Sequence, residues 1–477
     1  MPDNVGLQTD PLTWVLVALL AGGWLLSVRI TPGWNRDGWP SILKSLYGYL
    51  WLAFGVDILW RFLMLTYNAV EWGNGTLRLA VEPPSTINRT LCYCGLFWLL
   101  VVAAYALAVR RQRRGPLELA YTIPVRFAFS AAIPTTLFAS VIFFQTEGSS
   151  SVPIALLTPL ALLASLYMIP ATVIWLEHFR RPGPKWRLGS VQLLVLLPAL
   201  VRGWRSPYRE NLAPLLLIPL IAALFAGRKP ALRTLLPAVL AGFLGLSLLI
   251  GSYRKIKWEN VREAEVAREL IDTSVSDFAT TILDEPLRRF HAFDSMLLTV
   301  SLVPSAQPFS GKNVLLSPFV RGLIPRVIYD SKGAADAGTR FGESIWAFDN
   351  PEARERSSAA IAPSMPGDLF SAGGVLFIAL GALIWGSIIG LLDGWKSHLA
   401  VFTNAGLTVL LASQCAMSVE RDFDNTVATL IQTMLAFIVV VCVLRFSQRG
   451  FLLRPKAEAK NHRNIYSEGS FLHDIES

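Results

Sequence analysis

Eleven apolar runs divide this chain, at about 11–29, 43–66, 90–109, 125–144, 153–176, 188–201, 211–227, 232–251, 368–392, 400–417 and 426–445. Most approach the ~20 residues that a helix needs to cross the hydrocarbon core of a bilayer. Inside hydrocarbon, backbone N–H and C=O groups must be satisfied within the segment, and a helix does this alone. The expected fold is therefore an all-α polytopic membrane protein with eleven transmembrane helices. Composition agrees: 53% of the 477 residues are hydrophobic and 16% are charged, against about 25% charged in soluble domains. The first run follows an acidic leader and lacks a small-residue cleavage site, so it reads as a span and not as a signal peptide.

The formal net charge is +9, and its placement excludes nucleic acid as the partner. Arg29, Arg36 and Lys44, "RRQRR" at 110–114, "FRRPGPKWR" at 179–187, Arg228, Lys229 and Arg233, Lys396, and the tail from Arg445 fall in alternate connections. The intervening ones are nearly bare; "QTEGSSS" at 145–151 holds no basic residue. Basic loops mark the cytoplasmic side. The amino terminus is expected outside the membrane and the carboxyl terminus inside, on the cytoplasmic side. One outer connection departs from the pattern: "RGWRSPYREN" at 202–211 carries Arg202, Arg205 and Arg209. Either the short sixth run is misread, or these arginines attract an anion.

The same count divides the chain into spans one to eight (1–251), an extracytoplasmic loop (252–366), spans nine to eleven (367–446) and a basic, disordered tail (447–477). The loop is far longer than an ordinary connection. From Trp258 to Leu283 its apolar residues recur at helical spacing, with charges such as Glu263, Arg268 and Asp272 on the other side. That pattern predicts an amphipathic helix on the membrane surface. A second helical stretch is expected over 286–303, and Gly-, Pro- and Ser-rich loops after Pro304.

Chemistry concentrates in this loop. In "LRRFHAFDS", a helix would bring Arg288, His291 and Ser295 to one face, with Asp294 one turn from His291, unless this is only a wet helix face. "FVRGLIPR" sets Arg321 and Arg326 around an apolar core, and Gly322, Gly333 and Gly338 would admit close backbone approach. Guanidinium groups suit phosphate, either a substrate's or a lipid headgroup's. In "RERSSAAIAPSMPGDLF", Arg354 and Arg356 precede a helix start where Asp368 is a cap or a base. "VERDFDN" holds Asp422 and Asp424, a polar connection or a divalent-cation pair. Within span two, Asp57 and Arg61 stand four apart and are expected to bridge. The four cysteines, Cys92, Cys94, Cys415 and Cys442, lie in or beside spans and imply no disulfide framework or zinc site. No G-x-x-x-x-G-K-[ST] or H-E-x-x-H motif occurs, so neither an ATP-driven pump nor a zinc protease is indicated.

From Arg289 to about Leu392 the order of these motifs resembles the Wzy-type oligosaccharide repeat-unit (O-antigen) polymerases. The likeness rests on "RFHAFDS", then "FVRGLIPR" with the family's I-P-R, then "SSAAIAPSMPGDLF", then the Gly-rich span "SAGGVLFIALGALIWG". After I-P-R, "VIYDSKG" keeps the family's aromatic, acid and lysine without its proline, and Gly367-Asp368 stands where Gly-Glu is usual. Arg356 and Gly367 also fit an R-x10-G spacing. The resemblance implies a GT-C-like, metal-independent, inverting glycosyltransferase needing no cofactor. Its donor and acceptor would be undecaprenyl-pyrophosphate-linked oligosaccharides in the cytoplasmic membrane of a bacterium, with a flippase and a chain-length regulator as partners. Asp294, Asp368 or His291 would act as base, and Arg289, Arg321, Arg326, Arg340 and Arg356 would hold pyrophosphate. An O-antigen ligase, a transporter of lipid-linked or anionic solutes, and a non-catalytic scaffold are the competing readings.

Overall fold

A computed structural model describes residues 7–67, 82–112, 125–146, 154–180, 190–205, 209–228, 291–311, 313–324 and 363–451. Its principal helices are α1 (Pro11–Ser27), α2 (Leu46–Phe54), α3 (Arg61–Thr66), α4 (Pro84–Gln112), α5 (Val125–Thr146), α6 (Ile154–Ser165), α7 (Met168–Arg180), α8 (Ser190–Leu194), α9 (Leu197–Arg205), α10 (Arg209–Phe225), α11 (Ala292–Leu302), α12 (Ser317–Leu323), α13 (Met365–Ser397), α14 (Val401–Met417) and α15 (Phe423–Phe451). A π turn over Gly55–Trp60 joins α2 to α3. The described residues contain no strand. The chain falls into two units, Met1–Ile431 and Gln432–Ser477. The described part of the second is the remainder of α15.

Among the described residues, six helical stretches are long and apolar enough to cross a membrane: Pro11–Ile30, Leu46–Thr66, Pro84–Gln112, Pro159–Arg180, Met365–Ser397 and Phe423–Val440. This is a polytopic all-helical membrane protein, and the finer expectation of eleven spans is met only in part. Four more expected spans are shorter apolar helices, at Ser130–Gln145, Val191–Gly203, Asn211–Phe225 and Val401–Met417. Prolines interrupt several apolar runs, at Pro134 in α5, Pro159 in α6, and Pro214 and Pro219 in α10. The expected span 232–251, the amphipathic helix at 258–283 and the tail beyond Phe451 lie outside the described residues.

Hydrogen bonds fix which helix ends lie together. Asp10 and Thr13 form a capping box that opens α1, with Thr13 N–H donating to Asp10 Oδ1 at 2.7 Å. The Asn88 amide reaches both Asp10 carboxylate oxygens at 3.2 Å, which ties that end to the start of α4. At the opposite end, the Asp393 carboxylate accepts Leu46 N–H at 2.9 Å, Tyr47 N–H at 3.1 Å and Tyr105 O–H at 2.9 Å. Lys396 lies 3.2 Å from the same carboxylate and donates to the Lys44 carbonyl and to Thr408 Oγ1. A carboxylate of α13 thus caps α2 from outside, and the lysine neutralises it. Nothing in the sequence reading singled out Asp393.

The core seam runs between α4 and α13. Gly386, Gly390 and Gly394 recur every fourth residue along α13. A Cβ on Gly386 would meet the Val101 carbonyl at 2.4 Å, and one on Gly390 the Tyr105 carbonyl at 2.8 Å. Small residues let two backbones approach this closely, as membrane helices need where lipid supplies no hydrophobic drive. Around the seam, Tyr105, Tyr47, Trp98 and Phe54 stack in that order.

α13 is interrupted near its start. Gly373 and Gly374 leave helical geometry, and Gly374 takes φ +69° with ψ −152°, a region open essentially to glycine. The Ser371 and Ala372 carbonyls accept N–H groups of Ser310 and Gly311 at 2.8 and 3.2 Å. Phe309 covers Gly374. The residues after α11 therefore repair the break.

Candidate functional site

α11 falls within the helical stretch expected over 286–303, in the loop between spans eight and nine, and nearly its whole length is buried. It packs against α4, α13 and the π turn. The physical reason is in its residues: from Ala292 to Leu302, Asp294 is the sole charge, and that charge is matched. Arg61 Nε and Nη2 donate to Asp294 Oδ1 and Oδ2 at 2.9 and 2.6 Å. The side chains are 4% and 1% exposed. This is the planar two-pronged pairing for which guanidinium and carboxylate are matched. Phe62 and Phe293, the next residue and the preceding one, meet edge to face at 5.4 Å and hold the two backbones in place.

The sequence reading sought Arg61's partner in Asp57. The structure adds a bidentate partner on a distant segment, Asp294, with Asp57 buried one turn earlier on the π turn. His291 is the residue before α11 and makes no side-chain cap; its carbonyl accepts Ser295 N–H at 2.9 Å. Ser295 is buried.

Gly367 and Asp368 lie in the first turn of α13, as expected from the sequence. Ser364 is the cap: its hydroxyl accepts Gly367 N–H at 3.2 Å. A side chain at Gly367 would press on Ser364 Oγ at 2.9 Å and Thr299 Oγ1 at 3.4 Å. α11 therefore lies directly against this turn. Asp368 serves a different helix from its own: its Oδ2 accepts Phe423 N–H, the first of α15, at 3.0 Å. Helix starts carry unpaired N–H groups and partial positive charge, which a carboxylate satisfies. Met365 N–H donates to the Val419 carbonyl at 3.0 Å, so the stretch from Val419 to Phe423 is fastened to the start of α13 at both ends.

Asp422 and Asp424 divide the remaining work at that helix start. Asp422 Oδ1 accepts Asn425 N–H, an ordinary cap. Asp424 pairs with Arg321 on α12. Gly322, next in sequence, sits against Ile431 of α15. Burial pushes the Asp422 carboxyl up to about 6; its bond from Asn425 opposes this, Asp424 adds to it, and Arg421 and Arg321 oppose it. Among the described residues no group of three or more His, Cys, Asp or Glu is placed to hold a metal. The D-x-D pair is an anchor here.

Contacts thus run from Arg61 to Asp294, through α11 to Gly367, from Asp368 to the start of α15, and from Asp424 to Arg321. His291, Asp294, Asp368 and Arg321 lie on elements joined at one end of the bundle. Arg289, Arg326, Arg340 and Arg356 lie outside the described residues. Sequence reasoning missed Arg61 as Asp294's partner. A charged residue inside an apolar run was the available signal, since such groups seek a partner. Comparison of the chain with protein-family models, curated proteins and solved structures finds no match.

Proposed function

We propose that this protein polymerises oligosaccharide repeat units carried on undecaprenyl pyrophosphate, by inverting glycosyl transfer at the outer face of the cytoplasmic membrane. One observation supports this reading above the others. The passage from 325 to 362, which carries Arg326, Arg340 and Arg356, is flanked by two segments fastened to the same short connection. Arg321 pairs with Asp424 on one side, and Met365 and Asp368 bond to Val419 and Phe423 on the other. An arginine-bearing passage whose two flanking segments are fastened together beside an apolar bundle suits a substrate whose lipid lies in the membrane and whose phosphates lie at its edge.

In the proposed step, the acceptor hydroxyl oxygen bonds to the donor's anomeric carbon as the bond from that carbon to the pyrophosphate oxygen breaks. The hydroxyl proton passes to a side-chain base, and the electron pair stays on the pyrophosphate. Arginines placed in advance stabilise that charge. Asp294 is engaged by Arg61 on both oxygens, so it acts best as a positioning residue. Asp368, with His291 beside α11, is the better base.

A transporter is the second reading, since broken helices mark many transporter sites and α13 is broken. Against it, the Ser371 and Ala372 carbonyls at the break bond to Ser310 and Gly311. Deleting the gene should remove the surface-glycan ladder on a gel while single units remain. Purified protein given lipid-linked units alone should build a ladder, whereas a ligase requires a second acceptor. Arg326→Ala should lower the rate about 10²–10³-fold. A full ladder after deletion would refute the proposal.

A further inference from the structure

α12 has two faces, and both are apolar. Val314, Pro318 and Gly322 line the buried one. Leu316, Val320 and Leu323 recur at helical spacing on the other side and are 62%, 52% and 59% exposed. Leu19 of α1 and Leu99 of α4 are exposed to the same degree, at 68% and 61%, and both lie on helices long and apolar enough to cross a membrane. From Asn313 to Ile324, Arg321 is the sole charge, and Asp424 matches it. The outward face is left to leucine and valine.

Contact with α15 sets the depth of this helix. A Cβ on Gly322 would meet Ile431 Cβ and Cγ2 at 2.9 Å, so the α12 backbone lies directly on α15. The distance from Phe423 to Ile431 is about 12 Å along that helix. Phe423–Val440 is itself long and apolar enough to cross a membrane. Gly322 therefore stands well inside the apolar zone. Arg321 reaches from this level back to Asp424 in the first turn of α15, as long cationic side chains do to bring their charge to a membrane's edge. The backbone suits the same surroundings, where water cannot satisfy a free N–H. Leu316 N–H donates to Asn313 Oδ1 at 3.2 Å. Ser317 N–H bonds to the Asn313 carbonyl at 3.0 Å, and those of Phe319 and Val320 to the Leu316 carbonyl at 3.1 and 3.4 Å. Pro318 has no N–H to satisfy.

We propose that α12 is a re-entrant helix embedded in one leaflet of the membrane, with Leu316, Val320 and Leu323 facing the acyl chains of phospholipid. This rests on no assumption about glycosyl transfer. The test uses the full chain in nanodiscs of phosphatidylcholine and phosphatidylglycerol. The photoreactive residue p-benzoylphenylalanine is placed at Leu316, Val320 or Leu323, one position per variant, with Leu19 of α1 as the lipid-facing reference. These sites are exposed, so the larger side chain displaces no packed neighbour. After irradiation, each of the three is expected to gain the mass of one phospholipid, with the new bond on an acyl chain, as at Leu19. A second measurement does not depend on the photoreaction. Val320→Asp should unfold at a lower temperature than wild type in the same nanodiscs, because a carboxylate among acyl chains is costly, while Val320→Ile should match wild type. The proposal is overturned by absence of lipid adducts at all three positions, by bonds to headgroups alone, or by cross-links to another segment or a second copy in place of lipid. Equal unfolding temperatures for Val320→Asp and wild type would overturn it as well.

Discussion

Arg61 and Asp294 grip each other through two hydrogen bonds, 2.9 and 2.6 Å long, across 233 positions of sequence. The pair joins the second span to a helix that precedes α13, and both side chains are almost wholly buried. Breaking a buried pair leaves one charge uncompensated, at a cost of about 3–5 kcal/mol. Arg61→Ala should therefore melt well below wild type in detergent. The double change Arg61→Met with Asp294→Leu removes both charges and should recover most of the loss. Wild-type melting of Arg61→Ala would show that the bridge contributes nothing.

Asp368 permits a separation of structure from chemistry. Its Oδ2 caps α15 by accepting Phe423 N–H, and an asparagine can accept the same bond. Asp368→Asn should keep the unfolding temperature near wild type. Asp368→Ala should lose about 1 kcal/mol, as when a cap is removed. If the carboxylate also takes the acceptor's proton, both variants should lose polymerisation by about 10²–10⁴-fold. Equal activity in Asp368→Asn and wild type would remove Asp368 from the chemistry and leave it a cap.

The membrane character of this chain was plain from its apolar runs, because a bilayer imposes length and composition on every segment that crosses it. The start of α13 at the Pro366-Gly367-Asp368 stretch was also legible, from proline, glycine and acid together. The burial of α11 was not. "AFDSMLLTVSL" carries a charge and follows a polar passage, so local pattern favoured a surface position. Its burial depends on Arg61, far away in the chain, and pairing across such a distance leaves no periodic trace. Asp393 was hidden for the same reason: it caps a helix more than three hundred positions earlier. The interruption at Gly373–Gly374 lies within a Gly-rich span, where glycine alone does not mark a break, and only the carbonyl bonds to Ser310 and Gly311 reveal its role.

Asp422 should make stability depend on pH in a definite direction. Its carboxyl is raised from 3.8 to about 6 by burial, with Asp424 adding to the shift. The folded protein therefore keeps a proton that the unfolded chain releases. The stabilisation from this group is full below the unfolded value and is lost as pH rises through about 6. The scale is roughly 3 kcal/mol at most. Asp422→Asn keeps the cap to Asn425 and abolishes the titration. Its unfolding temperature should fall less than that of wild type between pH 4 and pH 7, and should exceed it at pH 7. Parallel pH profiles for the two proteins would contradict this.

The α4–α13 seam gives the sharpest steric prediction. At Gly390 a new Cβ would lie 2.8 Å from both the Ala108 Cβ and the Tyr105 carbonyl, with backbone on one side that cannot rotate away. Gly390→Ala must push the helices apart, and overpacking of this kind costs about 1–3 kcal/mol. The same shift would strain the hydrogen bond from Tyr105 to Asp393. Gly22, whose new Cβ would meet nothing within 4 Å, is the matched control. Gly22→Ala should melt at or above wild type, since alanine favours the helix by about 1 kcal/mol, while Gly390→Ala melts below it. If the two variants melted alike, the close approach of α4 and α13 would not be what holds this seam.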